Sequence, residues 1–332
     1  MSTFRSRAFL SILTTASLLS LSACTKLQVK MGMKVYLAKT PITSISASLP
    51  QGPAIAPGGK SPLVVVVTQP DRKTLQTEGK GGGKVMWKDL KLTATVVAVN
   101  AKGIVTLPKD PRASDGKTGH LTITVPSHPD LHADLDIPLR YDIKYVATFD
   151  GAKGVDGTNG SDGMNGSSGS PGSTDPKNPS PGGNGGNGTD GGNAGDGGNG
   201  GDAPPVQVRV TVQPGSHPLL QVSVSASGHQ KFYLVDPLAG SITVHADGGA
   251  PGQGGRGGRG GSGGSGGTGS PNESSGTSGY DGRNGFDGQP GRGGSITVTY
   301  DPQVQPHLAV IHLSNSGGPK PVFIEQTIAP LG

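Results

Sequence analysis

Gly182-Gly183-Asn184-Gly185-Gly186-Asn187 and Gly254-Gly255-Arg256-Gly257-Gly258-Arg259 decide how this chain reads, because two of every three residues in each stretch lack a side chain. The period of three extends well beyond them. It runs through Gly151, Gly154, Gly157, Gly160, Gly163, Gly166, Gly169 and Gly172, then resumes from Gly182 to Gly200 with Ala194 the single lapse. A second block keeps it from Gly249 to Gly267 and again from Gly276 to Gly294. A residue without Cβ at every third position suits a left-handed helix of three residues per turn whose backbone packs on neighbours. The chain has 59 glycines and 28 prolines in 332 residues, and only 31% hydrophobic and 4% aromatic residues. A packed core must therefore come from a subset of segments.

Three conformations fit the glycine arms. Eight consecutive Gly-X-Y triplets from Gly151 suit a collagen-type trimer, but they contain one imino acid, Pro171. Packing of polyglycine-type helices within one chain makes better use of the Gly-Gly-X stretches, which offer two bare faces and turn the third row outward. Each arm has about 20 residues and would extend about 60 Å at roughly 3.1 Å per residue. Nearly equal arms on either side of a spacer such as Ser173-Thr174-Asp175-Pro176-Lys177-Asn178-Pro179-Ser180-Pro181 suit a folded-back hairpin. Solvated, flexible linkers are the third conformation. The second is preferred, and with it a monomer over a homotrimer.

The flanks of the arms repeat. Val208-Arg209-Val210-Thr211-Val212-Gln213-Pro214 aligns with Ile296-Thr297-Val298-Thr299-Tyr300-Asp301-Pro302, and Pro218, Leu220 and Val222 with Pro306, Leu308 and Val310. This internal duplication predicts units of strand, arm, spacer, arm, strand, turn and strand, with the strands forming one sheet. Upstream, Leu63 to Val67, Leu92 to Val99, Ile104 to Leu107, Leu121 to Val125 and Ile143 to Phe149 are β-branched runs bounded by turn residues. The expected fold is mainly β: an N-terminal β-sandwich over 61–150, then duplicated β-strand units carrying polyglycine II or collagen-like arms. The hairpins occupy 151–202 and 248–294, and the strand units 203–247 and 295–332. Trp87 is expected in the sandwich core, with an exposed binding role as the alternative.

The first residues carry Arg5 and Arg7, an apolar run over 8–21, and then Leu21-Ser22-Ala23-Cys24. Basic flank, short apolar stretch and small residues describe a secretory signal peptide over 1–23. The last four residues resemble the lipobox of bacterial lipoproteins. The resemblance implies cleavage before Cys24, acylation of its thiol by a palmitate-type chain, and acylation of the new amino group. It also implies a membrane anchor followed by a lipidated tether over 24–60, with the outer membrane as destination in a Gram-negative host. Cys24 is the only cysteine, so intrachain disulfides are excluded. The net charge of +5 includes leader arginines and gives no reason to expect nucleic acid.

Catalytic chemistry is not legible. Asp115-Gly116-Lys117-Thr118 ends like a phosphate-binding loop, but Pro111 stands where its first glycine belongs. Asp190, Asp196 and Asp202 are the calcium candidates. Gly191-Gly192-Asn193-Ala194-Gly195-Asp196 is similar to calcium-binding nonapeptide repeats, although no nine-residue period follows. Arg256 and Arg259 share a ridge that could face those acids or be solvated. No cofactor and no enzymatic activity is expected. The glycine blocks resemble those of collagen-like, glycine-repeat lipoproteins of bacterial cell surfaces, which implies a spacer, adhesin or matrix role. The rival expectation is a carbohydrate- or protein-binding module using Trp87, Tyr280 and Phe286, followed by an enzyme of envelope polymers.

Overall fold

The structure is a computed structural model that describes residues 27–331 except 214 and 216. Cys24 and the leader lie outside the described residues. The chain is mainly β and divides into two compact units at residues 143 and 144.

The first unit holds nine strands: β1 (Ser44–Ser48), β2 (Lys60–Pro62), β3 (Val64–Thr68), β4 (Thr74–Gln76), β5 (Lys91–Thr95), β6 (Ala98–Val99), β7 (Ile104–Thr106), β8 (Gly119–Val125) and β9 (His128–Ile137). They form three antiparallel three-stranded sheets, in the orders β1-β3-β4, β2-β7-β6 and β5-β8-β9. Alternation in β8 buries Leu121, Ile123 and Val125 and turns His120, Thr122 and Thr124 outward. One core joins these residues to Leu63, Val65, Val67, Val85 and Val105. Leu37, Ile42, Leu49 and Ile55 belong to the same core, which corrects the expectation of a tether reaching residue 60. Ile42 and Leu49 stand singly among Thr, Ser and Pro, and Leu37 and Ile55 lie in apolar stretches of only four and three residues, too short to show a period. Within this segment Val35 forms a bridge to Val85, and Leu37–Lys39 is a 3₁₀ turn. The long strand β9 escaped sequence reading although Leu131, Ala133, Leu135 and Ile137 alternate with His132, Asp134 and Asp136, because Pro129 and three aspartates are residues that strands disfavour.

The second unit takes over at β10 (Lys144–Thr148), the strand expected to close the sandwich. It continues with β11 (Val206–Gln213), β12 (Leu219–Ala226), β13 (His229–Val235), β14 (Ser241–His245), β15 (Ile296–Tyr300), β16 (Ile311–Ser314) and β17 (Val322–Glu325). Two sheets result rather than the single sheet expected: β10-β14-β16, all parallel, and β13-β12-β11-β15-β17, parallel across β11, β15 and β17. Each strand before an arm therefore joins one sheet, and each strand after an arm joins the other.

The pairing reveals three coils where sequence comparison found two. The third runs β16, Asn315-Ser316-Gly317-Gly318-Pro319-Lys320-Pro321, β17, with its arm reduced to those seven residues. The spatial register also differs from the sequence alignment, since Val206 and not Val208 stands beside Ile296. A slip of two residues keeps every side chain on its own face, which is why alternation alone could not detect it. Finally, 302–310 is a 3₁₀ helix and not the counterpart of strand β12. Pro302 and Pro306 fix φ and remove donors, and the Asp301 carboxylate accepts the Gln303 N–H at 3.0 Å to start the helix.

Candidate functional site

Between the strands stand four extended glycine segments, here rod 1 (151–172), rod 2 (182–202), rod 3 (248–269) and rod 4 (275–294). Every third amide of rod 1 donates to rod 3, from Gly151 to the Asp247 carbonyl at 2.9 Å through Gly160 to Arg256 at 2.8 Å. Residue numbers rise together, so these rods run parallel and continue the β10–β14 pairing. Rods 2 and 4 are likewise parallel, with Gly191 donating to the Tyr280 carbonyl and Gly197 to that of Phe286, both at 2.8 Å. The remaining contacts are antiparallel: rod 2 donates to rod 1 (Gly192 to Ser161, 2.7 Å), rod 3 to rod 2 (Gly258 to Gly192, 2.9 Å) and rod 4 to rod 3 (Gly282 to Gly258, 2.7 Å).

Rods 2 and 3 thus each bond to all three others, whereas rods 1 and 4 bond only to rods 2 and 3. This explains the glycine count per turn. The two central rods carry the Gly-Gly-X pattern and the outer rods a single glycine. A Cβ on Gly258 of rod 3 would run into the backbone of Ser161, and one on Gly285 of rod 4 into that of Gly195.

Side-chain carboxylates and carboxamides take up amides that no rod reaches. Asp156, Asn159, Asp162 and Asn165 of rod 1 accept from Gln253, Arg256, Arg259 and Ser262 of rod 3, all at 2.8–3.0 Å. Asn187, Asp190, Asn193, Asp196, Asn199 and Asp202 of rod 2 do the same for rod 4. Asp281, Asn284 and Asp287 of rod 4 accept from Gly260, Gly257 and Gly254. An ionised or amide oxygen serves equally, so the acceptor role is met by Asp and by Asn alike.

These ladders correct two expectations. Asp190, Asp196 and Asp202 stand six residues apart along one rod, about 19 Å per step at 3.1 Å per residue, and cannot share a calcium ion. Each is instead committed to a backbone amide of rod 4, and so is not the counter-ridge for Arg256 and Arg259. Trp87 is also corrected as a ligand contact. It is 7% exposed, and a Cβ on Gly103, whose φ is +70°, would collide with its ring. Tyr280 and Phe286 are 81% and 80% exposed. They lie along rod 4 rather than at its tip, on a row that includes Arg283, Gln289 and Arg292.

Two polar clusters were not anticipated. At the foot of the rods, Asp150, His245 and Asp247 bring one ligand atom each within 4.8 Å of one another. Asp247 is already occupied, accepting from the Ser316 N–H at 2.6 Å and the Ser314 hydroxyl at 2.9 Å, with His245 Nδ1 3.2 Å away. The Ser316 amide, the His245 ring and the Ser314 hydroxyl hold its pKa down at about 2. The cluster ties β14 to the short loop after β16, and Asp150 joins it by accepting the Asp247 N–H at 2.8 Å.

On the outer face of β8 and β9, His120 Nδ1 lies 2.7 Å from Asp136 Oδ1, and His120 Nε2 lies 3.3 Å from Thr122 Oγ1. The order resembles a catalytic triad, but the Thr122 hydroxyl donates to Asp134 at 2.7 Å. Asp136, through its hydrogen bond, raises the His120 pKa, which favours imidazolium over a general base. The side chains of His120 and Asp136 are 44% and 76% exposed, so no enclosed site surrounds them. Alternation in β8 with cross-strand pairing to β9 would have revealed the cluster, had β9 been recognised.

No protein-family model matches the chain, and no curated protein matches it significantly. No described helix is long and apolar enough to cross a membrane.

Proposed function

We propose that this chain is a non-enzymatic, lipid-anchored protein of the cell envelope whose glycine segments form a stiff bundle of polyglycine II rods, serving as a surface spacer or adhesive projection. The observation that carries this reading is the hydrogen-bond pattern: every third amide of each rod is bonded to another rod of the same chain, and carboxylate and amide side chains take up many others. Satisfied donors offset the large entropy lost on ordering glycine, which a solvated linker would not lose. Because the partners are intramolecular, the rods need no second or third chain, which argues against a collagen-type homotrimer. The N-terminal half, read as a β-sandwich, links the rod-bearing half to Cys24, where acylation supplies the anchor, at the outer membrane in a Gram-negative host.

Two acyl chains or more hold a protein stably on a bilayer, whereas one does so only marginally. Replacing Cys24 with Ala should therefore release the chain from the membrane fraction and abolish palmitate incorporation. Retention of the variant in that fraction would defeat the anchoring proposal.

A second reading, a carbohydrate- or protein-binding module, is favoured by Tyr280 and Phe286. Both are almost fully exposed on a backbone fixed by rod 2, with Arg283 between them on the same row. Binding on a glycan array that disappears in Tyr280→Ala and Phe286→Ala would move the assignment to this reading. Hydrolysis of an envelope polymer by the purified protein would instead revive an enzymatic role.

A further inference from the structure

The stack of coils is finished at one end and open at the other. At its start, the outer edge of β11 is taken by β12, and β13 follows it. The β12–β13 hairpin also reaches the first sheet. Tyr233 stands 5.4 Å from Tyr145 of β10, and Lys231 donates to the Thr148 carbonyl at 3.4 Å with its Nζ 4.7 Å from the Phe149 ring centre. At the far end, β17 is the last strand of its sheet, with no described strand on its outer edge.

Terminal repeats of stacked architectures usually present a polar outer face, and natural edge strands are blunted by charge or shortness. Strand β17 is short, and Pro321 precedes it, but its apolar residues are not covered. Val322, Phe323 and Ile324 are consecutive and 53%, 47% and 44% exposed, so apolar side chains stand out from both faces. The Gln326 N–H donates to the Tyr300 carbonyl at 2.9 Å, and β17 runs parallel to β15 with Glu325 beside Tyr300. In that register the even-numbered residues bond inward to β15, and Phe323 and Glu325 turn their backbone N–H and C=O outward.

We propose that this edge is a self-association surface, on which β17 pairs antiparallel with β17 of a second copy of the chain. Within one chain the stack already grows by pairing equivalent strands of a repeated unit, so a second copy offers the same kind of partner. A head-to-tail arrangement would have to use β13, the other edge of that sheet, where His229, Gln230 and Lys231 are exposed and polar and offer no match for the apolar triplet. The apolar edge finds its complement in its own copy, about a two-fold axis. The triplet is self-complementary when that axis passes at Phe323. Phe323 then faces its own copy in a hydrogen-bonded pair, and Val322 faces Ile324 of the second copy on both sides. Aromatic and β-branched cross-strand pairs of this kind favour association. Pro321 has no amide to donate, but its carbonyl can accept from Glu325 of the second copy. The two five-stranded sheets would become one continuous sheet.

The test uses the chain from Thr25 onward, which retains every described residue and no cysteine. Sedimentation should give twice the chain mass at micromolar concentration. Phe323→Lys, which sets two like charges on the axis, and Phe323→Pro, which removes the outward amide, should both return it to the single-chain mass with an unchanged circular dichroism spectrum. Phe323→Cys supplies a positive readout. A hydrogen-bonded antiparallel pair holds its Cα atoms about 5.5 Å apart, within the range a disulfide spans, so oxidation should give a covalent dimer. Val146→Cys, an exposed position on β10 at the other end, should not cross-link. A chain that stays monomeric at all concentrations, a dimer that survives Phe323→Lys, or a trimer would overturn the proposal.

Discussion

Asn and Asp do the same work along the rods, because each presents one oxygen to a backbone amide of the neighbouring rod. Six asparagines precede glycine: Asn159, Asn165, Asn184, Asn187, Asn199 and Asn284. Five of these hold an amide of another rod, and Asn184, next to the spacer, has no such contact among the described residues. Deamidation needs the following amide nitrogen to reach the side-chain carbonyl carbon, which a held carboxamide resists. Peptide mapping by mass spectrometry after incubation in mildly alkaline buffer should find isoaspartate at 184 first, with the other five delayed until the bundle is unfolded. Asp247 gives the pH counterpart. Its folded pKa is depressed to about 2, below the ordinary carboxylate value of about 3.9. The stability it contributes is present above the ordinary value and is lost as pH falls through the folded one. Asp247→Asn should lower the melting temperature at neutral pH, and the difference from the parent chain should narrow below about pH 4 and close near pH 2.

At the scale of the element, the number of glycines per turn reports the number of neighbours. A rod with two bare rows can be enclosed by three others, and a rod with one bare row sits in the groove between two. Ala194 shows that a single methyl is accommodated on rod 2. A larger side chain in the middle of rod 3 has no such room. Gly258→Val should cost roughly 2 kcal/mol or more, since its Cβ meets the Ser161 backbone and overpacked interiors typically lose 1–3 kcal/mol. Ser262→Val, four residues on but in the outward row, should stay within about 0.5 kcal/mol. Equal losses in chemical denaturation would mean that the rods are not packed as described. The strands obey a different constraint. Alternation placed β8, β11 and β15 correctly, but it failed where proline turned 302–310 into a 3₁₀ helix.

At the scale of the whole molecule, the chain divides at residues 143 and 144 into units with separate cores, one around Leu121, Ile123 and Val65, the other around Val208, Val222 and Val298. Fragments 27–143 and 144–331 should each fold alone and melt cooperatively, as followed by circular dichroism. A fragment that stays unfolded would show that its core needs the other half. From sequence alone, the period of three favoured helices with bare faces over solvated linkers, the β-branched runs predicted strands, and the duplication predicted repeated strand units. Those properties are local, set by side-chain volume and alternation over a few residues. Tertiary structure alone decided which rod bonds to which, that Asp190, Asp196 and Asp202 hold amides rather than an ion, and that a third coil presents an exposed edge. Each of these depends on contacts between residues far apart in the chain, and a glycine or aspartate looks the same in sequence whichever neighbour it meets.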